Sequence, residues 1–502
     1  MTVRSLLDRC AQLWPEHSAV IEDATQRTHS FAALVRDVAA AGLRLAGLGL
    51  APGDRVALLG DATYAYLLAD YGAMYSGFVR VPLDPSLTVD ELGNQIADAG
   101  AKILLFGVEQ AALAASVRAP AVLPIDTVTA SGASADRRPG ETADTDLASL
   151  NYTGGTTGQP KAVMLSQGNL SAAAANIVGA RGMGPGDTMV NMRPLWPIAA
   201  VIVLAHLAAG GTVVLGGRFE PQRLLSLLEK YRAAATSLVP THLTRLLKDT
   251  DPRSYKLEAL RAIDVGGAAI PPETFEAALV AFGPKIGVLY GLTEAPWSCY
   301  QPPLDLAAPP EARARRVRAV GRPLAGCEIM IAGDHGAAPP GEAGEVLIRG
   351  PHVTQGYWQR PEITRDVLRE GWFHSGDIGT LDENGRLAIV GRIKDVIRSG
   401  AKTVQPREVE AVLRQHPAVL DAAVIGLPDA EWGEIVAAGV VARPNAAISE
   451  AELIDYCRNR LAAHKRPKLV RLLDELPRSH YGKVQGAKLR TELQQGRPAS
   501  TA

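Results

Sequence analysis

The stretch whose residue types most plainly suggest chemistry is Tyr152-Thr153-Gly154-Gly155-Thr156-Thr157-Gly158-Gln159-Pro160-Lys161. Glycines let backbone N–H groups approach an anion, threonine hydroxyls add donors, and Lys161 adds a positive charge, so the segment has the parts of a phosphate cradle. It is not a Walker A loop, because no Gly-Lys-Ser or Gly-Lys-Thr follows at the required spacing. Taken alone, a Gly/Thr-rich turn after a strand is as often only a turn, with its threonines capping the next turn of chain. The four cysteines, Cys10, Cys299, Cys327 and Cys457, form no CxxC pair; this argues against a disulfide framework or zinc cluster and predicts buried thiols.

A loop of this kind needs a strand to launch it, and the flanking pattern supplies many. Ser30 caps a helix with the stripe Phe31, Leu34, Val35, Val38 and Leu45, and a Pro52-Gly53-Asp54 turn follows. Val56 to Leu59, Phe78 to Pro82 and Ile103 to Phe106 read as strands around an apolar helix at Tyr64 to Met74 and a helix opened by a Thr88-to-Glu91 capping box. Asp126 to Asp146 reads as a surface loop. The alternation resumes with strands at Leu147 to Tyr152, Thr212 to Leu215, Thr236 to Val239, Ala262 to Val265 and Ile286 to Leu289. Such alternation predicts an α/β fold, with parallel sheets covered on both faces and a large N-terminal domain of two similar α/β subdomains. Beyond about Arg318 short strands such as Glu345 to Arg349 and Arg386 to Val390 predict a small β-rich region. Residues 395–502 then predict a smaller α+β domain. In it, helices at Pro406 to Gln415 and Ser449 to Ala463 alternate with strands at Ala422 to Ile425 and Val436 to Val441.

Composition narrows the function classes. The chain has 502 residues, too many for one small binding module, and its 52 Lys plus Arg balance 53 Asp plus Glu for a net charge of −1. No strong positive field is present to attract nucleic acid. The first residues, MTVRSLLDRCAQLW, are broken by charges and read as an amphipathic helix with Leu6, Leu7, Cys10 and Leu13 inward, not as a signal peptide. The most apolar stretch, Leu195 to Gly211, contains Pro197 and His206 and is too short for a membrane span, so a cytoplasmic location is expected.

Further segments occur in order: Tyr290-Gly-Leu-Thr-Glu294, Gly344-Glu-Val-Leu-Ile-Arg-Gly350, Gly356-Tyr-Trp358, Gly371-Trp-Phe-His-Ser-Gly-Asp377, Gly391-Arg-Ile-Lys-Asp395 and Pro477-Arg-Ser-His-Tyr-Gly-Lys483. The ordered set resembles the adenylate-forming superfamily of acyl-CoA synthetases, luciferases and peptide-synthetase adenylation domains, over nearly the whole chain. The resemblance implies an N-terminal adenylation domain over residues 1–391, a hinge at 392–394 and a mobile C-terminal lid over 395–502. It also implies the activity: ATP-dependent conversion of a carboxylic acid to acyl-AMP with release of pyrophosphate, then transfer to a thiol, with CoA as the expected co-substrate.

By the same resemblance Thr153, Gly154, Gly155, Thr156, Thr157, Gly158 and Lys161 would hold the β- and γ-phosphates of ATP, and Gly267 and Ala268 would join the nucleotide site. Tyr290 would lie against adenine, Thr293 would contact the α-phosphate, and Glu294 would hold Mg²⁺ through hard carboxylate oxygen. Asp377, assisted by Arg392, would accept hydrogen bonds from the ribose hydroxyls, and Lys394 would be the hinge residue. Lys483 would be the catalytic cation between the α-phosphate and the incoming carboxylate, two anions that repel in a dry site. Trp196, Val239, His242, Gly266, Leu292 and Pro296 would line the acid pocket, whose apolar character fits an aliphatic or aromatic acid.

Some positions depart from the family pattern. Gly155 stands where serine is common, Ala162 where glycine follows the lysine, and Gln167 where histidine follows Leu-Ser. Pro197 replaces a gating histidine beside the acid pocket, so Trp196 is expected to shape the pocket instead, and Ala401-Lys402 replaces Gly-Glu along the expected pantetheine path. These departures keep another acceptor or another acid open: a carrier-protein thiol, an amine, or an unusual acid such as nitrite. A nucleotide-binding homologue without catalysis is the reading from a different class, and Glu294, Asp377 and Lys483 argue against it. A monomer and a homodimer are both compatible with the sequence.

Overall fold

The computed structural model describes residues 1–129, 140–153, 161–307, 316–317, 319–334, 336–400, 402–478 and 484–495. These fall into two compact units, Met1–Ile329 with Ile348–His374 and Met330–Leu347 with Ser375–Ala502.

The first unit contains a seven-stranded and a nine-stranded sheet with helices packed on them. The seven-stranded sheet holds Arg55–Leu59, Val79–Pro82 and Ala101–Phe106 in parallel, and Leu147–Thr153 pairs parallel with Val79–Pro82. Leu147–Thr153 then turns back to pair antiparallel with Lys161–Ser166. The core of the nine-stranded sheet is parallel: Ile286–Tyr290, Ala262–Val265, Ala235–Leu238, Thr188–Asn191 and Thr212–Leu215 lie side by side in that order. Both faces of these central strands are covered: Ala262–Val265 and Ala235–Leu238 are buried along their whole lengths, and the polar Asp264 and Thr236 within them are met by Arg181 with Tyr300 and by the Val190 carbonyl.

Local signals explain many boundaries. Ser30 accepts a hydrogen bond from the Ala33 N–H at the start of Phe31–Gly47, and Thr88 and Glu91 cap Val89–Ala99 reciprocally. All four cysteines are unpaired and buried.

Some expectations need correction. The N-terminal helix, Val3–Leu13, buries Val3, Leu6, Leu7 and Cys10, while Leu13 is exposed because it is the helix's last residue and lies beyond the last buried position. The stretch expected to be a loop from Asp126 begins instead as a helical turn, Asp126–Thr129, whose Val128 is fully buried. The two subdomains are present, but no single cut in the chain divides them. Ser18–Glu22 and Arg27–Ser30 form a hairpin that joins the nine-stranded sheet beside Thr212–Leu215.

The second unit contains a five-stranded sheet that includes the long hairpin Val419–Asp429 and Gly433–Ala442, covered by helices Pro406–Arg414, Glu450–Arg458 and Gly486–Gln494. Ahead of it, Trp372–Leu381 and Leu387–Arg392 form an antiparallel pair. The expected hinge segment lies in this unit, where Ile393–Asp395 makes one 3-10 turn between Leu387–Arg392 and Ile397–Ser399.

Candidate active site

Loops leaving the carboxyl ends of parallel strands converge wherever neighbouring strands end together, which is the usual place for ligands in α/β sheets. In the nine-stranded sheet these loops carry the expected pocket residues. Trp196 follows Thr188–Asn191; Val239 and His242 follow Ala235–Leu238; Gly266, Gly267 and Ala268 follow Ala262–Val265; Leu292, Thr293, Glu294 and Pro296 follow Ile286–Tyr290. Gly266 leaves no room for a side chain, since an added Cβ would lie 2.3 Å from Leu289 Cγ. Gly267 has φ +91°, so this turn favours glycine on both counts.

Trp196 and Val239 are buried, and the His242 ring stacks on Phe219 with centroids 4.0 Å apart and planes 5° from parallel. An aromatic wall of this kind offers flat apolar surface.

The Thr293–Glu294 loop is tied down from several sides. Leu292 and Ala295 exchange backbone hydrogen bonds at 3.1 and 3.2 Å, and the Ser298 N–H donates to the Tyr290 carbonyl at 2.9 Å. Beneath it, Ser298 Oγ donates to the Ala295 carbonyl at 2.9 Å and lies 3.0 Å from His352 Nε2. Burial lowers His352 to about 4, so the ring is neutral at physiological pH. Glu294 is buried, its carbonyl accepts the Thr354 N–H at 2.7 Å, and its Oε1 accepts the Tyr357 hydroxyl at 2.7 Å.

Tyr357 also connects this loop to the phosphate hairpin. Gly356–Tyr357 pairs antiparallel with Met164 and Val163, Thr354 Oγ1 donates to the Met164 carbonyl at 2.6 Å, and Lys161 Nζ lies 6.0 Å from the centre of the Tyr357 ring. Thr153 and Lys161 are cross-strand partners at the mouth of that hairpin. Gly154, Gly155, Thr156, Thr157 and Gly158 lie outside the described residues. Tyr152, just before them, donates to Asp98 Oδ2 at 2.8 Å and to the Gln95 carbonyl at 2.9 Å; burial, then Asp98, push its phenol far above the usual range.

In the second unit Asp377 and Arg392 are cross-strand partners and form an ion pair through Oδ1 and Nε. Asp377 is buried, and its N–H donates to Ser375 Oγ at 3.0 Å. Lys394 stands in the 3-10 turn that follows. Lys483 and Ala401 lie outside the described residues. The residues that frame Lys483, Arg478 and Val484, form an antiparallel bridge, and the Gln485 N–H donates to the Pro477 carbonyl at 2.7 Å.

The profile described as AMP-binding enzyme matches residues 7–358, and that of the AMP-binding enzyme C-terminal domain matches residues 408–483. The chain belongs to the AMP-binding enzyme family. This AMP-binding enzyme is 36% identical over 479 residues to a feruloyl-CoA synthase of Amycolatopsis sp, covering 95% of this chain and 96% of that one. Among solved structures it is similar to ATP-bound MatB from Rhodopseudomonas palustris, with TM-score 0.88 and 32% identity over 98% of this chain and 99% of that one. It is likewise similar to the amide bond synthetase McbA from Marinactinospora thermotolerans, with TM-score 0.87 and 31% identity over 98% and 99% of the two chains.

Sequence reasoning missed the role of Tyr357, although the Gly-Tyr-Trp segment had marked its place. It also missed the buried Asp264, which is paired with Arg181 at 2.5 Å and accepts the Tyr300 hydroxyl at 2.6 Å beneath the Gly266 turn. Gln167, a departure from the family pattern, is fully buried structure. Its Oε1 accepts the Val3 N–H at 3.0 Å and its Nε2 donates to the Met74 carbonyl at 2.7 Å. Among the described residues no helix is long and apolar enough to cross a membrane.

Proposed function

We propose that this AMP-binding enzyme joins an apolar carboxylic acid to CoA through an acyl adenylate. A carboxylate oxygen attacks the α-phosphorus of ATP, the bond to the β-phosphate oxygen breaks, and pyrophosphate leaves with the electron pair. The CoA sulfur, its proton lost, then attacks the acyl carbon, and AMP departs. The observation that supports this reading is the set of loops at the carboxyl ends of adjacent parallel strands, one of which carries Glu294, with Glu294 hydrogen-bonded to Tyr357, whose strand pairs with Lys161–Ser166.

Within this reading Thr153 and Lys161 bind the outer phosphates with the intervening loop, Tyr290 faces adenine, and Thr293 contacts the α-phosphate. Asp377 and Arg392 bind ribose, and Lys483 neutralises the two approaching anions. Glu294 suits Mg²⁺ by its hard carboxylate oxygens, since Mg²⁺ typically binds through one or two carboxylates, substrate phosphates and water. When bound, the ion supplies neutralisation of phosphate charge. The stacked His242 and Phe219 rings would suit an acid with a flat ring, and the likeness to a feruloyl-CoA synthase is a reason to test aryl acids first.

An amine acceptor is the second reading, favoured by the likeness to an amide bond synthetase and by Ala401-Lys402. Pyrophosphate release and product mass, measured across a panel of aryl and alkyl acids with CoA or with amines, separate the two. Acid-dependent pyrophosphate release and an acyl-CoA product are expected; an amide formed at full rate without CoA rejects the first reading, and failure of every acid to drive ATP–pyrophosphate exchange rejects both.

A further inference from the structure

Arg80 lies in the otherwise apolar strand Val79–Pro82 and is only 2% exposed. A guanidinium so deeply buried is costly unless its donors are met. Nη1 donates to Asp70 Oδ2 at 2.6 Å, Nε to Ser149 Oγ at 3.0 Å, and Nη2 both to Asn151 Oδ1 at 3.4 Å and to the Pro197 carbonyl. Asp70 is fully buried in helix Tyr64–Tyr75, where burial pushes its carboxyl up and Arg80 opposes the shift.

These acceptors differ in how much they need the arginine. Ser149 and Asn151 sit on strand Leu147–Thr153 and Asp70 on a helix, so regular structure already places them. Pro197 belongs to the irregular stretch between strand Thr188–Asn191 and helix Ala200–Ala208, and proline offers no N–H of its own. Helix Tyr64–Tyr75 braces the end of the same stretch, where the Tyr71 hydroxyl donates to the Ala200 carbonyl at 2.9 Å. Only a planar fork with several donors reaches acceptors on so many elements at once.

We propose that Arg80 is a specificity-determining positioning residue: by tying the Pro197 carbonyl to the sheet it fixes the wall that Trp196 presents to the acid. This inference rests on the assignment of Trp196 to the acid pocket. A lysine at the position keeps a charge for Asp70 but loses the reach to Pro197. Replacing Asp70 by Asn together with Arg80 by Gln removes both buried charges and the tether.

The test is kcat/KM for pyrophosphate release over aryl and alkyl acids of increasing length, with KM for ATP and the thermal midpoint measured alongside. The proteins compared are the wild type, Arg80→Lys, the Asp70→Asn/Arg80→Gln pair and Trp196→Ala. Each Arg80 variant that folds is expected to change the ratio of kcat/KM between short and long acids by about tenfold, the scale of one methylene in a fitted pocket, with KM for ATP changed far less. Uniform loss across all acids overturns the proposal, because a purely structural role scales every acid alike. A ratio moved by Trp196→Ala but not by the folded Arg80 variants also overturns it and leaves the pocket assignment standing. A ratio unmoved by Trp196→Ala removes the pocket assignment itself, and the proposal with it.

Discussion

Glu294 in the first unit and Lys394 in the second are set in contrasting surroundings. Glu294 is held at its carboxylate by Tyr357 and at its carbonyl by Thr354, and the loop around it closes on itself through Leu292 and Ala295. Lys394 stands in a single 3-10 turn whose start has no side-chain cap. Close by, Gln405 fills the space beside Gly391, where an added Cβ would lie 2.1 Å from Gln405 Oε1. Groups that must meet charge developing in a transition state gain from being fixed in advance. A single uncapped turn is instead suited to changing its dihedral angles. The contrast is what the proposed reading needs if Glu294 and the Lys161 hairpin hold the phosphates throughout while Lys483 serves only the first half-reaction.

The sharpest test of that contrast is Lys483→Ala. Adenylate formation should fall by about 10²–10³-fold, the scale for losing one group that stabilises developing charge, while transfer to CoA from synthetic acyl adenylate is largely kept. Equal loss of both half-reactions would break the comparison.

Acidification probes the ties beneath the first unit's loop. His352 titrates at about 4 in the folded protein, below its ordinary 6.5, because burial disfavours the charged ring. Between those values the unfolded chain binds the extra proton, so stability falls as pH drops from about 6.5 to 4, by about 3 kcal/mol for this group. Denaturant midpoints across that range should show a shallower pH slope in His352→Gln than in the wild type. His206, likewise lowered to about 4 by burial, keeps some slope in the variant.

Asp377→Asn should weaken ATP binding by about tenfold or somewhat more, the scale of hydrogen bonds to a charged acceptor, as read by calorimetry. An unchanged affinity would take Asp377 out of the ribose site. The smallest expected effect is in the strand that leads into the turn. Gly391→Ala should alter the ratio of the two half-reaction rates by a few-fold, and Gln405→Ala in the same chain should restore it by making room for the added methyl. A ratio that stays put would detach this glycine from domain movement.

Local physics made much of this molecule readable in advance. The Ser30 cap, the Thr88–Glu91 box and the apolar strand runs depend on residues a few positions apart, and each stands where the spacing put it. Motif order likewise led to the loops at the ends of the parallel strands. What stayed hidden is partnership over distance. Tyr357 and Glu294 are 63 positions apart, and Arg80 and Pro197 are 117 apart, so neither pair leaves a periodic trace. Arg80 is the harder case, because one charge in an apolar run resembles an exposed edge residue until its buried acceptors are seen. Leu13 misled in the opposite sense: its spacing fits the apolar stripe, but the helix ends there.

The amide of Gln167 has a practical consequence for anyone handling this chain. Because it accepts from Val3 and donates to Met74, the opening turn of the polypeptide is sewn into the interior. A purification tag fused ahead of the largely exposed Met1 should be harmless, whereas trimming even the first helical turn would strand a buried acceptor and leave the body of the protein prone to aggregate.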